Sequence, residues 1–298
     1  MMWVWFRAVR IRFLLSSVIA ATLGTAVAWN THGAIAMQDW AVVVVGVAAL
    51  HASVDLLNDY RDYRRGIDTR TRRTGMSGGS GVLPEGLLRP EQVRRAGIIC
   101  LCAGAAIGSY YTYTHGAVVG IILGFAVLSI YFYSTRIVDW GLGEVFVGIK
   151  GGLIVLGAHY IQTAHLGFEA ALAGAAAGTL SALVLFVASF PDREADRAGG
   201  RRTIVIRLGP ERAARLYWAF PGVFVCIILY GVASGTFPWT AAVSLAALPL
   251  AVRAGLGMMR QYMEPDTHMR GTLLYSRISG LLLVAGFAAA TPATAGAV

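Results

Sequence analysis

Charge is what this sequence has least of. Only 14% of its 298 residues are Asp, Glu, Lys or Arg, against about 25% in an ordinary soluble domain. The shortage runs along the whole chain, which excludes a soluble body tied to one anchor and points to an all-α polytopic membrane protein. Lysine is nearly missing: Lys150 stands alone against 24 arginines. Cysteine is scarce too, with Cys100, Cys102 and Cys226 all inside apolar stretches. Cys100-Leu101-Cys102 lacks metal-ligand partners around it, so the three read as small buried thiols. The net charge of +9 would suit nucleic acid, but the arginines sit between apolar runs. Connections facing the cytoplasm explain them better, and no nucleic-acid partner is expected.

What is present is hydrophobic residue, 56% of the chain. A bilayer core needs about 20 apolar residues per helix. Nine segments qualify, at 13–29, 39–57, 96–114, 117–134, 143–163, 168–189, 215–234, 237–254 and 272–290. The opening "MMWVWFRAVRIRFLLSSVIAATLGTAVAW" has the basic start, apolar run and Ala-Val-Ala of a signal peptide. In a chain full of spans it reads instead as the first membrane helix. The connections near 30–38, 115, 164–167 and 235–236 hold no Lys or Arg, whereas those at 58–95, 135–142, 190–214 and 255–271 hold most of them. That alternation puts the N-terminus in the cytoplasm and the C-terminus outside. One domain over 1–298 is expected in the cell membrane, with its working face towards the cytoplasm.

The two long connections, 58–95 and 190–214, each open on acidic residues and continue into basic ones. The first begins "NDYRDYRRGID" and the second "DREADRAGGRRTIVIRLG". Asn58 and Asp62 are four apart and share a helix face, as do Asp192 and Asp196, and Asp55 and Asp59 repeat the spacing one turn earlier. Carboxylates stacked this way repel unless something positive lies between them. Oxygen donors from two helix ends suit Mg²⁺, which binds carboxylates and phosphates together, and neighbouring arginines suit bidentate phosphate contacts. The implied ligand is a diphosphate. Arg61, Arg65 and Arg72 are candidates to face it, and Tyr131 and Tyr133 to line a cavity. The competing reading is solvated loop charge, which two clusters of one pattern on one membrane face disfavour.

These residues resemble the two aspartate-rich motifs of the UbiA superfamily of intramembrane prenyltransferases. "SGGSGVLPEGLLRPEQV" (77–93) and "YSTRIVDWGLGEVFVGIKGGLIVLGAHYIQT" (133–163) are similar to the branch that prenylates 1,4-dihydroxy-2-naphthoate for menaquinone. The resemblance spans roughly 50 to 210. It implies about nine helices around a central cavity, a prenyl diphosphate bound through Mg²⁺, an aromatic acceptor, and a side opening to membrane lipid. By the same resemblance, metal falls to Asn58, Asp62, Asp68, Asp192 and Asp196, with Gly66-x-Asp68 in the form typical of the naphthoate branch. Arg201, Arg202 and Thr203 match the basic tail of the second motif and would bind substrate. Two places depart from the branch: Ser189-Phe190-Pro191 stands where Asn and Arg are usual, and Ile149-Lys150-Gly151 where Phe-Gly-Pro is. Both bear on the acceptor, for which homogentisate, a chlorin, haem or glyceryl phosphate are the alternatives.

Lys150 is a catalytic candidate. A lysine within a span costs about 2.5–3.5 kcal/mol on insertion scales and usually faces a polar cavity; here it would pair with the diphosphate or with an acceptor carboxylate, against snorkelling to the interface. His51 and Asp55, one turn apart, make either a polar stripe on the cavity or a structural pair. His159 and Tyr160 read as interface anchors. Glu144 starts a helix, where stabilising that helix end competes with a role towards substrate. A secondary transporter is the rival from another class, and it predicts charge near the bilayer midplane, whereas most charge here gathers at one face.

Overall fold

The computed structural model describes residues 1–69, 78–132, 137–262 and 266–292, and every regular element among them is helical. Helix is the outcome that lipid imposes on these apolar runs, since an unpaired backbone group in hydrocarbon costs several kcal/mol. In chain order the helices are α1 (Met2–Ala8), α2 (Ile11–His32), α3 (Met37–Arg64), α4 (Pro90–His115), α5 (Ala117–Phe132), α6 (Gly143–Thr163) and α7 (Phe168–Ala198). There follow α8 (Ile204–Leu208), α9 (Pro210–Leu216), α10 (Ala219–Ala233), a 3₁₀ segment (Trp239–Ala247), α11 (Leu248–Arg260) and α12 (Asp266–Ala289). Among the described residues eight stretches are long and apolar enough to cross a membrane, and the apolar α5 is shorter. The molecule is an integral, multi-pass membrane protein.

The helix ends differ from the sequence reading in a way that matters. The second span continues past residue 57 to Arg64, and the sixth past 189 to Ala198. Asn58, Asp62, Asp192 and Asp196 therefore stand on the last turns of helices and not in connections. A hydropathy window stops where charge begins, whereas a helix continues as long as its backbone bonds are made; even Pro191 is carried inside α7. Only Asp68 lies beyond a helix, in the turn after α3.

Between helices in lipid there is little hydrophobic drive, so close backbone packing does the work. Helices α6 and α7 show it. A Cβ at Gly178 would come within 2.3 Å of the Gly148 carbonyl oxygen. With glycine there the two backbones touch, and any larger residue would push apart the helices that carry Lys150 and Asp192. Helix α2 packs against α3, α6, α7 and α12 and buries Leu23, Val27 and Ala28 almost completely. It forms one wall of the interior.

On the face where α3 and α7 end, α1 lies across the segment 78–89. Ala8 packs with Leu56, Val82, Leu83, Leu88 and Val93. Arg7 fastens this contact, donating from Nη1 to Glu85 at 2.7 Å and from Nε to the Ser80 carbonyl at 2.8 Å. The chain then reverses through a left-handed backbone at Arg10 (φ 44°) before α2 begins.

Two expectations are corrected here. None of the three cysteines is buried: Cys100 is half-buried, and Cys102 and Cys226 are exposed on the outer surfaces of α4 and α10. Apolar helices in a bilayer keep apolar residues outward, so hydrophobic context alone does not imply burial. His159 is fully buried, its Nε2 3.8 Å from Glu169, and is no interface anchor. Tyr160 donates to the His115 carbonyl at 3.3 Å, tying α6 to the end of α4.

Candidate active site

The ends of α3 and α7 converge on a cavity of about 280 Å³. Asn58, Asp62, Asp68, Asp192, Asp196, Arg201 and Lys150 all line it. Its rim is acidic and its depth is walled by apolar residues such as Val47, Leu50, Phe146 and Ile154. Two segments separated by more than a hundred residues thus supply one polar cluster.

Arg201, in the turn after α7, joins the two motifs. Its Nη1 donates to Asp196 at 2.8 Å and its Nη2 to Asp62, while Nε lies 3.8 Å from Asp139. Arg201, Asp62 and Asp196 are each less than a tenth exposed. Removing one partner of a buried pair costs about 3–5 kcal/mol because a charge is left uncompensated, so this bridge fixes the distance between the helix ends. Asn58 Nδ2 donates to the other Asp62 oxygen at 2.9 Å.

Asp68 sits against the glycine turn of the next segment. Gly79 has φ +71°, and a Cβ there would meet the Asp68 carboxylate oxygen at 2.7 Å, so both backbone shape and space require glycine. Burial first, and then the charges of Asp59 and Asp62, push the Asp68 carboxyl up to about 8, with Arg10 pulling the other way. Six acidic side chains line the cavity (Asp55, Asp62, Asp68, Glu144, Asp192 and Asp196) against three basic ones (Arg10, Lys150 and Arg201).

Arg10 is the residue the sequence did not single out. It lines the cavity and ion-pairs with Asp59, whose second oxygen accepts from the Ser80 backbone N–H at 3.0 Å. Burial works against the Arg10 charge, but Asp59, Asp55 and Asp68 together raise its pKa above the ordinary arginine range. Its only signal was membership of the basic cluster before the first span, which positive-inside topology already explained. Asp59 is spent on this brace.

The other candidates are placed as follows. Arg61 donates to the Tyr131 carbonyl at 2.7 Å and lies over that ring, and Tyr131 is itself exposed. Arg65 pairs with Asp139 at 3.2 Å and donates to the Gly199 carbonyl at 2.7 Å. Arg202 is exposed. None of these three arginines is among the residues lining the cavity. Arg72 and Tyr133 lie outside the described residues. His51 and Asp55 do line the cavity, with Nε2 and Oδ2 3.7 Å apart, so the polar stripe and the pair are both real. Glu144 is buried at the cavity wall with Oε1 lacking a partner.

Mg²⁺ fits these donors. They are hard oxygens, in excess over local positive charge. Among the described residues no three acidic, His or Cys groups converge on one point, and Mg²⁺ does not need them to: it typically takes one or two carboxylates, keeps water, and shares the rest with phosphate. Asp62, Asp68, Asp192 and Asp196, with the Asn58 amide, are the residues that would hold it.

Helices enclosing a cavity with an acidic rim and an apolar interior define an intramembrane enzyme that handles a charged headgroup and a lipid tail together. The chain belongs to the UbiA prenyltransferase family, whose model matches residues 17–278. It is similar to 1,4-dihydroxy-2-naphthoate octaprenyltransferase of Escherichia coli (strain K12), 30% identical over 94% of this chain and 91% of the relative. It is also similar to 2-carboxy-1,4-naphthoquinone phytyltransferase of Synechocystis sp., 24% identical over 95% and 92%. Among solved structures, a UbiA homolog from Archaeoglobus fulgidus bound to GPP and Mg²⁺ superimposes with a TM-score of 0.68 at 16% identity, over 96% of this chain and 98% of that one. The protein is therefore a prenyltransferase, and the transporter reading is set aside.

Proposed function

We propose that this protein carries out Mg²⁺-dependent transfer of an isoprenyl chain from a prenyl diphosphate to 1,4-dihydroxy-2-naphthoate, in menaquinone biosynthesis. The observation that carries it is the meeting of Asn58, Asp62, Asp68, Asp192 and Asp196 on one cavity whose depth is apolar. The family assignment supports prenyl transfer, and the named activities of the relatives support a naphthalene acceptor that carries a carboxylate. The arginine distribution supports a site open to the cytoplasm.

The diphosphate binds at the acidic rim, with Arg201 and Arg10 within reach of its remaining oxygens. When bound there, Mg²⁺ supplies Lewis-acid charge that offsets the negative charge growing on the departing diphosphate. The C1–O bond breaks and its electron pair leaves with the diphosphate. The apolar wall keeps water from the allylic cation. A ring carbon of the acceptor attacks C1, forming the new C–C bond. Aromaticity returns by loss of a proton to a carboxylate of the rim or to the released diphosphate, or by loss of CO₂ when attack falls on the carboxylated carbon. The isoprenoid tail lies between helices towards lipid.

The test is a transfer assay on the purified protein in lipid, with a panel of prenyl diphosphates against naphthoate, homogentisate, chlorin and glyceryl phosphate acceptors. EDTA should abolish turnover and excess Mg²⁺ restore it. Turnover that survives chelation removes the metal reading, and preference for another acceptor removes the naphthoate reading.

A further inference from the structure

Deeper in the cavity, about 10 Å along α3 from Asp62 (seven residues at about 1.5 Å each) and one turn from Asn58, lies a second polar group. Asp55 precedes Asp62 by seven positions on α3, and Lys150 follows Gly143, the start of α6, by seven. His51 lies one turn beyond Asp55. Ser17 on α2 fixes the His51 ring through a 2.6 Å hydrogen bond at Nδ1, leaving Nε2 on the Asp55 side. Lys150, the chain's single lysine, makes no hydrogen bond or ion pair with any described residue. The Asp55 Oδ2 is buried without a hydrogen-bond partner. Lys150, Asp55 and His51 all line the one cavity.

An unpaired ammonium at this depth is expensive to keep, and apolar Val47, Leu50 and Phe146 line the same cavity. Charge here serves an anionic partner that arrives from outside the protein. Lys150, Gly151 and Ser189, where the chain departs from the naphthoate-branch pattern, all line the cavity.

We propose that Lys150, with Asp55 and His51 beside it, is the acceptor subsite, in which the ammonium pairs with the carboxylate of a hydroxylated aromatic acid and the other two face its ring hydroxyls. This rests on the prenyl-transfer reading above and assigns the residues that select the acceptor. Lys150 is a specificity-determining residue in this scheme, and it plays no part in holding the diphosphate.

The experiment compares wild type, Lys150→Met and Lys150→Arg, purified in lipid and checked for folding by thermal melting. Initial rates are measured anaerobically with geranyl diphosphate and either 1,4-dihydroxy-2-naphthoate or 1,4-dihydroxynaphthalene, which lacks only the carboxylate. Lys150→Met should raise the KM for the naphthoate by about 10- to 100-fold, the loss of one charge-assisted contact. It should leave the KM for dihydroxynaphthalene and for geranyl diphosphate within about twofold, and Lys150→Arg should recover part of the loss. A rise in the KM for geranyl diphosphate, an equal loss for both acceptors, or no change overturns the proposal. If Lys150→Met does not fold, Lys150→Gln, which also removes the charge, carries the same comparison. Wild type that turns over neither naphthalene would defeat the naphthoate reading separately. The subsite is then judged by equilibrium binding of 1-hydroxy-2-naphthoate against 1-naphthol to wild type and Lys150→Met: loss of the carboxylate's advantage in the variant supports it, and no advantage in wild type overturns it.

Discussion

The ends of α3 and α7 carry the same pattern, two polar residues four apart on a last turn, yet they are braced differently. The α7 end is held from close by: Arg201, five residues beyond Asp196, turns back onto it and reaches across to Asp62. The α3 end is held from far away in sequence, with Asp59 gripped by Arg10 before the first span and by the Ser80 backbone, and α1 packed over the whole. One motif carries its own clamp and the other depends on the N-terminal segment. A site divided between helices must fix two distances, one between the motifs and one between the first motif and its loop. Arg201 serves the former and Arg10 the latter.

The comparison can be broken at its points of equality first. Asp62→Asn and Asp192→Asn should each lower the transfer rate by about 100-fold or more, the scale seen when a group stabilising transition-state charge is removed. Asp62→Asn should also melt earlier, because it breaks the buried pair with Arg201, so both variants are assayed below their melting temperatures. Equal losses of rate are expected there, and a near-normal rate in either would show that motif to be dispensable. Arg201→Met comes next, because it unpairs Asp62 and Asp196 together. It should destabilise the protein by about 3–5 kcal/mol, read as a lowered melting temperature in detergent, and cut activity at both motifs. Arg10→Met should be milder, about 1–3 kcal/mol for a buried acceptor losing its partner, with faster proteolysis of the 78–89 segment as its distinguishing mark. If Arg10→Met melts no earlier than wild type, the N-terminal brace is not a brace. Smallest of all, Arg61→Ala should change the rate by less than about twofold, since its guanidinium is occupied at the exposed Tyr131.

The sequence carried the helices and the acidic residues well, because hydropathy and four-residue spacing are local properties. Asn58, Asp62, Asp192 and Asp196 needed only their spacing and their place after an apolar run to be grouped. Arginines were read less well. Arg61 and Arg65 looked like phosphate ligands through proximity in sequence, and Arg202 through its match to the basic tail of the second motif, but a long side chain near a helix end can point to any side. The fold sends the first two to a backbone carbonyl and to Asp139, and leaves the third on the surface. Arg10 faces the cavity because of one left-handed residue between two helices, and no pattern in "FRAVRIRF" marks which arginine takes that turn. The cysteines and His159 were misread for a related reason: in a membrane protein apolar context is uniform, so it does not separate lipid-facing positions from buried ones.

By itself, then, the sequence determined a multi-pass helical membrane protein with two acidic motifs suited to a metal-bound diphosphate. Composition, span length and residue spacing are physical constraints that act without knowledge of the fold. Only the tertiary structure decided that both motifs ride on helix ends, that Arg201 bridges Asp62 and Asp196, and that His51, Asp55 and Lys150 line the same cavity. Those are distances between segments far apart in the chain, set by glycine contacts such as Gly148 with Gly178 and by ion pairs across the bundle.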